Sequence, residues 1–347
     1  KIAKIVGGLK LTQKNFDRLM MEADGTENKS RLGANAILAS SMAFAKASAT
    51  SRKQKLWQYF AEIAGTKKPA LPTPMFNILN GGRHTHHEHA KNSTDLQEFM
   101  VVPVGKTFAE KLETGVKIYQ TLKRILEEKK LSTAIGDEGG FTPPLPSNEA
   151  ALEIFLAAIK ETDFAPGKKV KIALDAAASE FEQDGKYFLK KDNKKLSSLE
   201  LISLYESWLT KYPIMSLEDP LAEDDWENWQ IINEKLGGKI MLVGDDLFAT
   251  NSKRLKIGIE KKLANAIIIK PNQIGTITET IETANEAKRA GFKIIVSHRS
   301  GETLDTTIAH LAVGLAAPFI KAGAPAQKER MAKYNELLKI ESEGETL

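Results

Sequence analysis

Seven polar or charged residues of this chain stand directly after short apolar runs. Glu138 follows Ala134-Ile135-Gly136-Asp137, Asp175 follows Ile172-Ala173-Leu174, Glu218 follows Ser216-Leu217 and Asp245 follows Leu242-Val243-Gly244. Lys270 follows three isoleucines, His298 follows Val296-Ser297 and Lys321 follows Phe319-Ile320. One such residue could simply cap the next helix. A succession of complementary charges reads as a site. Asp175, Glu218 and Asp245 offer only oxygen ligands, which suit Mg²⁺ better than Zn²⁺. Three carboxylates brought close repel one another unless a divalent cation sits among them. Lys270 and Lys321 would flank that cation, and a lysine beside Mg²⁺ and a second cation can lose enough basicity to act as a base. Glu138 becomes the partner acid.

The elements that must present these residues follow from the pattern between them. From residue 75 onward, strand-like runs (Ser132–Asp137, Val170–Asp175, Ile214–Glu218, Ile240–Asp245, Ala266–Lys270, Lys293–Ser297 and Pro318–Lys321) alternate with helical stretches such as Asn148–Glu161, Ser198–Lys211 and Ile277–Ala290. Such alternation implies a parallel sheet, and Ile267-Ile268-Ile269 and Ile294-Ile295-Val296 suit strands buried on both faces. So many units favour a closed βα barrel, with the seven residues converging on its C-terminal rim. Residues 1–66 read as a smaller, mainly helical domain, with the Ala-rich run Ala34–Ala45 at its centre. The turn cluster Gly65-Thr66-Lys67-Lys68-Pro69 separates it from the barrel at 67–347. The expected fold is thus α/β, a TIM-barrel-like βα barrel with a helical N-terminal domain.

Composition narrows the classes. The chain has 347 residues, no cysteine and a formal net charge of +4. Absence of cysteine excludes disulfides, thiol catalysis and Cys-based zinc sites. So small a charge excess gives no footprint for nucleic acid, and the expected partner is a small anionic molecule met by a few placed cations. No run approaches the roughly 20 apolar residues of a membrane helix, and Lys1–Lys10 lacks the features of a secretory leader. The expected compartment is cytoplasmic. Gly105-Lys106-Thr107 resembles the end of a phosphate loop, but Met100 stands where that motif needs Gly. No Gly-x-Gly-x-x-Gly follows a strand, and His298 and Ser300 lack the elbow of a hydrolase triad.

Several segments resemble the enolase family: Gly136–Phe141, Leu174–Glu180, Ser216–Pro220, Gly244–Leu247, Lys270–Gly275, Ser297–Thr303 and Lys321–Pro325, with Asp24–Ser30 and Leu32–Ala36 upstream. They occur in family order across about residues 1 to 345. The resemblance implies a hydro-lyase of glycolysis that interconverts 2-phosphoglycerate and phosphoenolpyruvate with two Mg²⁺ per site, one of them on Asp175, Glu218 and Asp245. It implies Lys270 as base, Glu138 helping the hydroxide leave, Lys321 stabilising the intermediate, and Arg299 and Ser300 on the phosphate. His298, His89 and Glu98 would complete the pocket. It also implies a homodimer or higher homo-oligomer. The sequence departs from the family in three places, of which Leu304, standing where the family usually has an acid, should have little direct chemical consequence. The family's N-terminal sheet and Ser-containing lid have no counterpart, so this chain is expected to bind Mg²⁺ but turn over poorly. Arg83–His87 looks inserted: His89 keeps the family's distance to Glu98, whereas His84 keeps its distance to Gly81-Gly82. His89 is the favoured candidate, and the insertion is expected to be a polar surface loop dispensable for turnover. The alternatives are a different acid dehydratase of the superfamily, and an enolase-derived protein kept for binding or structure.

Overall fold

The computed structural model of the chain describes residues 1–85 and 93–344. Among them, eight strands close into a barrel: β1 (Thr73–Asn80), β2 (Glu98–Pro103), β3 (Val170–Asp175), β7 (Ile214–Glu218), β8 (Met241–Gly244), β9 (Ala266–Ile269), β10 (Lys293–Ser297) and β11 (Phe319–Lys321). Around the barrel they run β1-β11-β10-β9-β8-β7-β3-β2. Three short strands, β4 (Glu182–Gln183), β5 (Lys186–Leu189) and β6 (Lys194–Leu196), form an antiparallel sheet between β3 and the next helix.

Alternation along each strand divides two cores. Met75, Met100, Val102, Ala173, Val243, Ala266, Ile268 and Ile295 fill the barrel interior. Their neighbours Ile172, Leu174, Leu242, Ile267, Ile269, Ile294 and Val296 point outward, into the larger core under the helices. Side-chain caps fix where those helices start. Ser147, Ser197 and Thr276 accept from the third residue onward in Asn148–Lys160, Ser198–Lys211 and Ile277–Arg289, each cap being worth about 1 kcal/mol.

The helical unit before the barrel is docked by polar contacts as well as packing. Buried Asp17 accepts from Thr278 N at 3.0 Å and Thr278 Oγ1 at 2.6 Å, and Ser41 Oγ accepts from Ile277 N at 3.0 Å. The helix Leu56–Ala64 lies against Thr307–Gly314 so closely that a Cβ on Gly314 would meet the Phe60 Cβ at 2.5 Å. Phe60 is fully buried there, and truncating such a ring costs about 3–5 kcal/mol.

Two expectations are corrected. The sheet is not wholly parallel, because β2 pairs antiparallel with both β1 and β3. Ser132–Asp137 is not a barrel strand either. Its Ser, Thr and Gly residues make a loop in which Ile135 forms one bridge to Phe141, and Phe141 is tied to β1 through its N–H to Ile78 O at 3.0 Å and its carbonyl to Asn80 N at 2.8 Å. β1 and β2, unread in the sequence, supply the two strands that close the ring. Among the described residues no helix is long and apolar enough to cross a membrane.

Candidate active site

Two-residue periodicity carries the interior positions up to the barrel mouth. Ala173, Val243 and Ile268 face inward, so Asp175, Asp245 and Lys270, two residues on, face the mouth; Phe319 packs on the same interior and leads to Lys321. β2 runs the other way, so its first residue, Glu98, two before inward-facing Met100, reaches the same rim. Register then aligns Glu98 with Asp175, and Asp175 with Glu218.

Lys321 is the centre of this rim. Its Nζ lies 2.8 Å from both Glu218 oxygens, 2.9 Å from Glu98 Oε2 and 3.9 Å from Asp175 Oδ2. Burial alone would depress its basicity, but Glu218, Glu98 and Asp175 outweigh burial and hold the ammonium well above the ordinary lysine range. Burial and mutual repulsion raise Asp175 well above the usual carboxylate range, and push Glu218 up to about 7 against the pull of Lys321. Asp245 behaves differently. Burial opposes its charge, but Lys270, which donates to it, keeps it below the usual range; its other oxygen accepts from Gln273 at 3.0 Å. Lys270 in turn is raised: burial and Lys321 push it down, and Asp245 prevails. The lowered lysine expected from the sequence is therefore not produced by the side chains alone.

Glu138 sits on the opposite side, on a loop whose bends need glycine. Gly139 has φ +85°, and a Cβ on Gly136 would meet the His84 carbonyl at 2.2 Å. Asn77 Nδ2 donates to Glu138 Oε2 at 3.0 Å, Ser300 Oγ to Oε1 at 3.4 Å, and His298 Nε2 lies 3.2 Å from Oε2. Burial disfavours the charge of Glu138, yet His298, His84 and Lys321 together hold it well below the usual range. Burial also pushes His298 down, so we take its help to Glu138 as that of a neutral N–H donor. Glu138, expected as an acid, rests ionised.

His84 is the residue the sequence placed least well. It is buried, with Nδ1 3.4 Å from Glu98 Oε1 and Nε2 3.0 Å from Ser300 Oγ and 3.8 Å from Glu138 Oε1. His84 and Thr85 of the insertion Arg83–His87 are thus buried rather than at the surface, whereas Arg83 is exposed and forms an ion pair with Glu180 at 2.5 Å. His86, His87 and His89 lie outside the described residues. Arg299 stands exposed on the rim next to half-buried Ser300. A cavity of about 170 Å³ opens beside it, walled by Arg299, Gly301 and Thr303 and by Leu38 and Met42 of the N-terminal helix Ala34–Ser51.

Residues 68–346 match the family described as enolase, C-terminal TIM barrel domain, and residues 1–60 match enolase, N-terminal domain. The chain belongs to the enolase family. Membership places it among the lyases of the enolase superfamily, which generally work with Mg²⁺.

The residues present fit such a cation. Glu98, Glu138, Asp175, Glu218, Asp219 and Asp245 are all buried, and among the described residues the ammonium groups paired with this set are those of Lys270 and Lys321, with His84 and His298 beside Glu138. That excess of hard oxygen charge favours a divalent ion. Among the described residues, two groups bring ligand atoms within 4.8 Å of one another: His84, Glu98 and Glu138, and Asp219, Asp245 and Asp246. Asp175 and Glu218, expected as ligands together with Asp245, fall in neither group. Asp219 was missed by the strand-end pattern; its oxygens accept from the N–H groups of Asp245 at 3.0 Å and Asp246 at 2.8 Å, fixing the turn that aims Asp245. Asn77 was missed with β1, where it stands two residues after inward-facing Met75. Arg330, on the helix Lys328–Ser342, left no signal in the sequence beyond being one more helical cation.

Proposed function

We propose that this enolase-family chain catalyses the reversible, Mg²⁺-dependent dehydration of 2-phosphoglycerate to phosphoenolpyruvate. The observation that carries the reading is the division of the rim. Lys270 stands with Asp245 at one end, Lys321 with Glu218 and Glu98 in the middle, and Glu138 with His298, His84 and Ser300 at the other end. A substrate laid across the mouth has a cationic amine on one face and a carboxyl on the opposite one.

Mg²⁺ held by Asp175, Glu218 and Asp245, with a second ion in the same site, would neutralise the charge that develops on the substrate carboxylate. The side chains do the rest. Lys270 takes the proton next to the carboxylate; it can do so once Asp245 is committed elsewhere and the repulsion of Lys321 prevails. Lys321, held charged by its carboxylates, stabilises the dianionic enediolate from the middle of the rim. Glu138 accepts a proton from water in the hydration direction and, by reversibility, returns one to the departing hydroxyl in dehydration. Arg299 presents a planar fork suited to the phosphate, with Ser300 beside it. A cytoplasmic, glycolytic role and a homo-oligomeric state belong to the same proposal.

The test is the formation of phosphoenolpyruvate from 2-phosphoglycerate in the presence of Mg²⁺. Product that appears with Mg²⁺ and stops on chelation supports the reading. Absence of product at any Mg²⁺ concentration, in a chain shown to be folded, refutes it.

A further inference from the structure

Arg330 is buried to 1% exposure beneath the rim, and the proposed chemistry gives it no task. Each of its four terminal N–H bonds nevertheless ends on a loop of the site. Nη1 donates to His298 Nδ1 and, at 2.8 Å, to the Arg299 carbonyl; Nη2 donates to the carbonyls of Asp137 at 2.8 Å and Ser300 at 2.6 Å. The approach depends on Gly323, at φ +85°, where a Cβ would meet the Glu138 carbonyl at 2.7 Å and the Arg330 Cδ at 2.8 Å. One guanidinium thus joins the loop of Glu138 to the loop of His298, Arg299 and Ser300.

The chemical consequence lies in the imidazole. A guanidinium is a donor only and does not deprotonate. Nδ1 of His298 must therefore accept, which leaves the proton on Nε2, 3.2 Å from Glu138 Oε2. In the structure this Nε2 completes no hydrogen bond, and catalytic hydrogen bonds commonly tighten only when substrate binds. The groups facing His298 are Glu138, Arg330 and Lys321; burial and the two cations oppose its ionisation, and Glu138 alone favours it. We infer that Arg330 is a positioning residue that fixes His298 as the neutral Nε2–H tautomer, so that Glu138 always meets an N–H donor and never a bare ring nitrogen. The opposite tautomer would set a lone pair against an ionised carboxylate and compete with water for its proton. The inference rests on the role proposed for Glu138 above, but its readout does not.

The experiment is ¹⁵N–¹H correlation spectroscopy of the full chain labelled at histidine, with the His298 signal assigned from its loss in His298→Gln. The wild-type ring should show protonated Nε2 and bare Nδ1, without titrating between about pH 5.5 and 8. In Arg330→Met it should become a tautomer mixture that titrates, with kcat lowered about 10–100-fold, KM and the Mg²⁺ midpoint little changed, and part of the loss restored in Arg330→Lys. A wild-type His298 that is charged or carries its proton on Nδ1 overturns the inference, as does an unchanged spectrum in the folded Met variant. Should Arg330→Met fail to fold, the wild-type spectrum and the Lys variant decide. If the wild type forms no phosphoenolpyruvate, the proposed function fails while the tautomer result stands by itself.

Discussion

Glu98 and Lys321 meet at 2.9 Å across the barrel mouth, although they lie on strands that β1 keeps apart. One is the first residue of its strand and the other the last. They meet because β2 alone runs against its neighbours, bringing its beginning to the rim where the other strands end. Through this contact the amine spans Glu98 on one wall and Glu218 on the other, so it acts as the internal counter-charge of the site.

Removing that counter-charge should be costly. Lys321→Met leaves Glu98, Asp175 and Glu218 buried without their cation, and breaking a buried pair in this way costs about 3–5 kcal/mol. Urea denaturation in the presence of a chelator should show that loss at neutral pH. A variant as stable as the wild type would mean that the carboxylates are already relieved by another group.

Glu218 gives the stability of the site a pH dependence. Its folded pKa, raised to about 7 by burial and by Glu98 and Asp245 against Lys321, lies above the ordinary glutamate value of 4.5. Between those two values the folded state binds more protons than the unfolded state, so this group lowers stability as pH rises through the window. Mg²⁺ should relieve the charge exposed by that deprotonation. The Mg²⁺-induced rise in melting temperature should therefore be larger at pH 8 than at about pH 5.5, and Glu218→Gln should flatten the trend. A Mg²⁺ shift that is the same at both pH values would remove Glu218 from the cation site.

How much of this could be read in the sequence depended on local periodicity. The strand ends Asp175, Glu218, Asp245, Lys270 and Lys321 were legible because apolar alternation delivers them to one face of a barrel, and the segment order resembled the enolase family. Glu98 could be named only through that resemblance, since a strand-end pattern looks in the wrong direction along an antiparallel strand. Asn77 was hidden in β1, whose Thr73-Pro74 start and proximity to the turn cluster read as a boundary. Arg330 was not legible at all. Its contacts are carbonyls and a ring nitrogen brought by two distant loops, which no spacing along the helix encodes.

His84 offers a further check on geometry over spacing. Placed between Glu98, Glu138 and Ser300, it should matter despite lying in a segment that looks inserted. His84→Ala should lower kcat/KM about 10–100-fold while leaving the Mg²⁺ midpoint within a factor of about two, as expected for a residue that orients others. Steady-state kinetics with Mg²⁺ titration would show this. Full activity in the variant would return the role to His89.

The most direct measurement follows the proton. NMR of 2-phosphoglycerate in deuterated water, with Mg²⁺ and the full chain, reports exchange at C2 separately from loss of the hydroxyl. The arrangement of Lys270 on one face and Glu138 on the other predicts that Lys270→Ala abolishes C2 exchange. Glu138→Gln should retain much of the exchange while phosphoenolpyruvate formation falls by at least about 100-fold. C2 exchange that survives in Lys270→Ala would contradict the account, because that proton is assigned to Lys270.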